Sequence, residues 1–279
     1  MPSHHVTRAS DAVPATPPVF EGRAEGLVRR TLVGRHLGSL HSGLAQVRLD
    51  ADGYVALHVH AFEESVYVVS GTPTLVLDGR ALALAPGDGA LVPVGAEHGW
   101  RAEAGSAEWL ETASPAPRVS GPPDTWFTGA ALPGLVESPP ATTAARTRGR
   151  FHDPGSAHAT RPADALLTFG GTTLRMLVDA RLGAALHTMF TVQFAPGASL
   201  AAHDHPFEET YVVREGRIDA TCDGERLTLA AGDALWTGVG CIHAFANPYD
   251  EDVRWLETQA PQAPARHAFR FAEQWEALG

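Results

Sequence analysis

Eight residues of this chain have the types and spacing of two metal-ligand sets. His58, His60, Glu64 and His98 form one, and His203, His205, Glu209 and His243 form the other; each member of the second lies 145 residues after its counterpart. Gly71 and Gly216, and Gly87 and Gly232, keep the same offset. Repetition of a whole donor set without an insertion predicts two similar domains, each able to hold a metal. Three imidazoles and one carboxylate suit one divalent first-row ion per domain (manganese, iron, nickel or cobalt), with positions left open for water or substrate. A cysteine-rich set would have signalled structural zinc, and none is present.

Strands must carry these donors. Side chains alternate faces with a period of two, so His58 and His60, like His203 and His205, point to one side. Glu64 and Glu209 follow on the same parity, at the head of the apolar, β-branched runs Ser65–Val69 and Thr210–Val213. Parity then sends their neighbours Glu63 and Glu208 toward solvent. His98 and His243 come from a distant strand that folds back across the barrel. The same parity aims Trp100, Tyr211 and Phe245 inward beside the metals, where they could wall a substrate pocket or fill the core.

The two copies resemble the cupin superfamily, whose motifs are G(x)5HxH(x)3–4E(x)6G and G(x)5PxG(x)2H(x)3N. The first runs from Gly53 through His58, His60 and Glu64 to Gly71, then from Gly87 through Pro93, Gly95 and His98. The second runs from Gly197 through His203, His205 and Glu209 to Gly216, then from Gly232 through Gly240 and His243 to Asn247. Departures are small: one residue fewer between Gly53 and His58, Ala102 in place of the motif asparagine, and Gly238 in place of its proline. None touches a donor. The resemblance implies an all-β chain of two tandem double-stranded β-helix (jelly-roll) barrels, a bicupin.

The resemblance also implies three classes of function. Quercetinase-like and acireductone-like members share a set of three histidines and one glutamate and cleave carbon–carbon bonds with O2. In the former the glutamate doubles as a base, a part that Glu209 or Glu64 would take. That makes a metal-dependent dioxygenase acting on a small enol- or phenol-type substrate the leading expectation. A non-redox isomerase, lyase or aminohydrolase, similar to the ureidoglycine aminohydrolases, is the alternative. A binding or storage role ranks last, because seed-storage relatives lose the ligands that this chain keeps.

Composition bounds the rest. The chain has 279 residues, a net charge of −11 and a pI near 5.6, which argues against nucleic-acid or anionic-membrane partners. All 21 basic residues are arginine, which excludes Schiff-base lysine chemistry and a P-loop. Cys222 and Cys241 form no CxxC pair, so a reduced cytoplasmic protein is the default, as a monomer or homodimer. No apolar run approaches membrane-spanning length, and Met1–Pro18 lacks the apolar stretch of a signal peptide.

These signals divide the chain into an arm (1–28), a first barrel (29–118), a connector (119–160), a second barrel (161–267) and a closing helix (268–279). The arm reads as loosely attached, with His4 and His5 solvated. Short strands are expected at Leu44–Leu49, Tyr54–His60, Ser65–Ser70, Thr74–Leu77, Ala90–Pro93 and Glu108–Thr112. The connector is too long to float and should pack over the barrels through Trp126 and Phe127. Trp109-Leu-Glu-Thr112 recurs as Trp255-Leu-Glu-Thr258 and reads as core and sheet edge. Phe269, Phe271, Ala272, Trp275 and Leu278 have helical spacing. The remaining histidines, His36, His41, His152, His158, His187 and His267, fall outside the ligand pattern.

Overall fold

The computed structural model describes residues 3–11, 13–129, 146–147, 167–264 and 268–272. The first barrel is one curled sheet in which a long strand, Gly43–His60, takes part twice. Its first half pairs antiparallel with Ala107–Ser114 and its second half with His98–Arg101. Glu63–Ser70 lies on the other side of Ala107–Ser114 and meets Gly89–Val92. In the second barrel the long strand is divided into Thr188–Phe194 and Ser199–Asp204 by the Pro196-Gly197 turn. Two sheets of seven and five strands result. The strand positions expected from the sequence are all occupied. The Ala24–Val33 strand, which pairs along Gly43–His60, has a weak alternating pattern and was missed.

Gly71 and Gly216 sit at equivalent turns with φ near +72°. A Cβ at Gly71 would lie 2.3 Å from the Ser106 carbonyl, and one at Gly216 would lie 2.5 Å from that of Asp252. Both conformation and space therefore demand glycine there.

Each barrel has its own apolar interior, around Val47, Val66, Leu75 and Trp109 in the first and Phe190, Val192, Ile218 and Trp255 in the second. A third cluster joins them, with Leu32, Leu44, Leu91 and Leu110 packed against Leu177, Met189, Val212, Trp236 and Leu256. Burial of this face removes large apolar area from water and holds the barrels together. The repeat is visible at the seam: the hydroxyls of the equivalent residues Thr112 and Thr258 meet at 3.1 Å.

Glu63 and Glu208 correct the expectation of solvent-facing carboxylates, being only 2% and 4% exposed. Parity does turn them away from the barrel interior, but the face they reach is covered by the other barrel. Glu63 accepts from the backbone N–H groups of Ala185, Leu186 and His187 at 2.8, 3.0 and 3.3 Å. Glu208 accepts from Ser39 Oγ, Leu40 N, His41 N and Trp236 Nε1 at 2.6, 2.9, 3.1 and 3.3 Å. Each glutamate thus satisfies a loop of the opposite barrel. Burial would raise the Glu63 carboxyl, but hydrogen bonds from His187 and these amides outweigh it and hold the group below the usual carboxylate range.

Both ends of the chain are also tied down. His4–Thr7 is a strand antiparallel to Ala234–Thr237, so the expected loose arm is an added strand of the second barrel. His4 is partly buried with Nε2 3.1 Å from Glu225, and Arg8 pairs with Asp233 at 2.8 Å. Arg270–Phe271 lies antiparallel to His203–Asp204 where a helix was expected, and Arg270 pairs with Asp204. Backbone pairing to an open strand edge overrides helical spacing there. Residues 273–279 fall outside the described residues, as do most of the connector and His152, His158 and His267.

Because Glu208 answers four donors, Glu208→Ala should strand buried N–H groups and cost about 2–4 kcal/mol in thermal or urea unfolding. A ΔΔG below about 0.5 kcal/mol would refute the clamp. Glu63 titrates lower folded than unfolded, so its contribution is full at neutral pH and lost as the pH falls through its depressed value.

Candidate metal centre

In each barrel the HxH strand and the second-motif histidine face one another: His58 is in register with His98, and His203 with His243. The side-chain donors of His58, His60 and His98 lie within 4.8 Å of one another, as do those of His203, His205 and His243. All six histidines are buried. Glu64 brings a carboxylate oxygen to 3.1 Å from His60 Nε2, and Glu209 brings one to 3.3 Å from His205 Nε2. In each predicted set the three histidines converge, and the glutamate joins them at the edge, Glu64 beside His60 and Glu209 beside His205 and His243.

The rings are aimed by their other nitrogen. Nδ1 of His58, His98, His203, His205 and His243 faces the carbonyl of Ala56, Ala96, Ala201, Ala268 and Cys241 at 2.7, 3.0, 2.7, 2.5 and 3.0 Å. A carbonyl only accepts, so Nδ1 carries the proton and the Nε2 lone pair of a neutral ring is left to face inward. His60 instead meets the Thr125 hydroxyl at 3.0 Å. Thr125 belongs to the Thr125–Phe127 strand, which pairs with the His58–His60 segment. The connector thus does pack on the first barrel, but through Phe127, 5.3 Å from the His58 ring, while Trp126 is 46% exposed.

The two centres differ in charge. In the first, burial with the nearby His60 lowers His58 to about 3, and burial lowers His60 to about 4, so the rings stay neutral. Burial pushes Glu64 up to about 7, with Arg29 opposing. Glu64 Oε1 and His98 Nε2 are buried without a hydrogen-bond partner among the described residues. Lone pairs left bare in a buried cluster are costly unless an electrophile binds them, so this donor set fits a cation. The second centre is closed on itself. Glu209 accepts from Gln259 Nε2 at 3.0 Å, from the Tyr211 hydroxyl, and from His243 Nε2 at 3.1 Å. Burial would lower His243, but Cys241 and Glu209 outweigh it and raise the ring to about 10. Burial likewise opposes ionisation of Glu209, yet His205 and His243 hold its carboxyl well below the usual range.

The cavities differ more. The first encloses about 480 Å³, walled by Phe20, Val47, Val55, Phe62, Trp100 and Trp109 and roofed by residues 117–125. Trp100 stacks on Trp109 with centroids 4.7 Å apart. The second holds about 30 Å³, because Leu174, Phe194, Tyr211, Phe245 and Trp255 fill it. Tyr211 stands where the first barrel has Val66, and Phe194 where it has Leu49. Of the predicted lining residues, Trp100 thus borders open space, whereas Tyr211 and Phe245 mainly fill.

Two residues on the first cavity wall escaped the sequence reading. Arg29 and Glu111 line it together, paired at 2.6 Å. Glu111 is the glutamate of the Trp-Leu-Glu-Thr repeat, and its parity with Trp109 was the available signal. A second inward carboxylate therefore stands on the cavity wall beside the ligand glutamate.

Comparison with known proteins agrees with this geometry. The cupin domain family matches residues 45–112 and 190–258. The chain belongs to the cupin superfamily and carries two cupin domains. Oxalate decarboxylase from Bacillus subtilis superposes with a TM-score of 0.70 at 18% identity, over 98% of this chain and 80% of that one. The Lactobacillus farciminis oxalate decarboxylase formate complex does so with 0.70 at 16% identity, over 98% and 90%. These likenesses establish the two-barrel fold alone. Two curated relatives come from Streptomyces. Polyketide synthase CurC of Streptomyces cyaneus is 33% identical over 96 residues, and tetracenomycin polyketide synthase protein TcmJ of Streptomyces glaucescens is 30% identical over 96. Each match covers 34% of this chain and less than two thirds of the relative, 62% and 64%. No helix among the described residues is long and apolar enough to cross a membrane.

The charge difference gives a measurable contrast. Metal entry at the second centre must expel the His243 proton, whereas at the first only Glu64 titrates near neutrality. Between about pH 8 and about pH 6, affinity should fall roughly a hundredfold at the second centre and about tenfold at the first. His58→Ala/His60→Ala and His203→Ala/His205→Ala proteins isolate the two, each keeping about half the bound metal. Chelator competition on each would check this, and equal pH slopes would refute the assignment.

Proposed function

We propose that this protein is a metal-dependent enzyme whose first barrel is the reacting centre, and that it cleaves a small, flat enol- or phenol-type substrate with O2. The observation that carries the reading is the aromatic-walled cavity opening directly onto His58, His60 and Glu64, with His98 buried behind them. Those four residues would hold a divalent ion, whose bound charge would stabilise a developing enolate or phenolate oxygen. Phe20, Phe62 and Trp100 give a planar substrate apolar faces and keep water from it. Glu64, the carboxylate of the set, would take the hydroxyl or α-carbon proton as it loosens from the ion. The two relatives named as polyketide synthase proteins support the same substrate class, since polyketides are rich in phenols and enolisable ketones. The second barrel, its Glu209 engaged and its cavity filled, is assigned a supporting role.

One observation favours a second reading. Glu111 is a second carboxylate on the cavity wall, largely shielded from water, and burial raises its pKa against the opposing pull of Arg29. With Glu64 it would let acid–base chemistry proceed without oxygen, as in an isomerase, cyclase or lyase.

Metal-loaded protein should consume O2 with at least one flavonol, 1,3-diketone or catechol, and Glu64→Gln should retain metal while kcat falls by about 100-fold or more. Equal turnover in air and under nitrogen would overturn the oxygenase reading in favour of the second, and undiminished activity in Glu64→Gln would remove the glutamate from catalysis.

A further inference from the structure

At Arg29 the repeat exchanges an apolar residue for a permanent cation on the wall of the first cavity; the other arginine there, Arg118 in the roof, is paired with Asp124. The strand registers make the comparison direct. Arg29 lies opposite Val47, which lies opposite Trp109; in the second barrel Leu174 lies opposite Val192, which lies opposite Trp255. Leucine therefore occupies the place of Arg29 in the barrel whose cavity is filled.

The cation also redirects its neighbours. In the second barrel the indole of Trp255 donates to Glu257 at 2.9 Å. In the first, the equivalent Glu111 accepts from Arg29 Nη2 at 2.6 Å, and Trp109 Nε1 is left buried without a partner among the described residues. Arg29 Nε is likewise buried and unpartnered. A buried donor without an acceptor is costly, because it gives up its bond to water and gains none in return. The first barrel thus carries two such donors around a guanidinium that stands at the cavity wall, held by one carboxylate through Nη2, with Nε buried and the side chain still 19% exposed.

We propose that Arg29, held in place by Glu111, is a specificity residue that receives a carboxylate on the substrate, so that the first cavity selects planar aromatic or polyenolic acids over their neutral analogues. A guanidinium matches a carboxylate in both plane and charge, and such bonds are the stronger kind in a cavity shielded from water. The apolar walls accept the rest of the molecule. This rests on the first cavity being the substrate site, but not on the reaction proposed for it.

Binding can be tested without turnover, using 2-naphthoate and its neutral isostere 2-naphthamide on intact protein stripped of metal, so that no metal–carboxylate contact contributes. Quenching of tryptophan fluorescence, checked by calorimetry, gives both dissociation constants. The wild-type protein should prefer the acid by about tenfold or more. Arg29→Leu, which copies the arrangement the second barrel already tolerates, should abolish that preference while leaving the amide within about twofold. It should also keep the wild-type zinc content on reloading, and Arg29→Lys should restore part of the preference. Equal binding of acid and amide by the wild type, a preference that survives in Arg29→Leu, or failure of both probes to bind would overturn the proposal. An oxygen-independent turnover would overturn the reaction assigned above and leave this selectivity standing.

Discussion

The pleat of one strand in each barrel sends two adjacent carboxylates in opposite directions, and much of the structure depends on that divergence. Glu64 and Glu209 turn into the barrels to join three histidines, while Glu63 and Glu208 turn out and are buried under the opposite barrel. A shift of one residue in either strand would exchange the two roles and leave a loop of the other barrel without acceptors. The metal centre and the barrel–barrel seam are therefore built on the same few residues of backbone. Disturbing one disturbs the other.

The seam makes the two barrels one unit. The apolar cluster between them supplies the bulk of the association, the reciprocal clamps fix its register, and Thr112 meets Thr258 where equivalent positions converge. The first segment of the chain adds to the second barrel, with His4–Thr7 completing the sheet edge at Ala234–Thr237. The edge that remains is the four-residue His4–Thr7 strand, and so short an edge is a poor template for pairing with another molecule.

Within this near-symmetric frame a handful of side chains separate the sites. Tyr211 for Val66 and Phe194 for Leu49 fill the second barrel, and the Tyr211 hydroxyl occupies the ligand glutamate. Arg29 in place of Leu174 does the reverse in the first, keeping a charged wall beside open volume. Equivalent donor sets thus face different surroundings. In one the carboxylate and a histidine are bare, and in the other they satisfy each other. Duplication preserved the donors, and the packing around them diverged.

The repeat, the two donor sets and the strands that carry them are legible in the chain alone, because period-two alternation and a constant offset are local properties. The placement of His58, His60, Glu64 and His98 followed from parity and needed no knowledge of the fold. Parity also sets the direction of Glu63 and Glu208, but what lies in that direction follows from how the barrels pack: a neighbouring barrel whose loop amides need acceptors, where water was expected. The arm and the C-terminal segment were misread for a related reason, since a strand edge supplied from far along the chain outweighs local composition and spacing. Cavity size was equally beyond reach. Trp100, Tyr211 and Phe245 all point inward, yet whether an inward aromatic bounds a space or fills it depends on its opposite neighbours, and those come from strands distant in sequence. The pairing of Arg29 with Glu111 belongs to the same class, as two residues 82 apart in the chain meet only once the barrel closes.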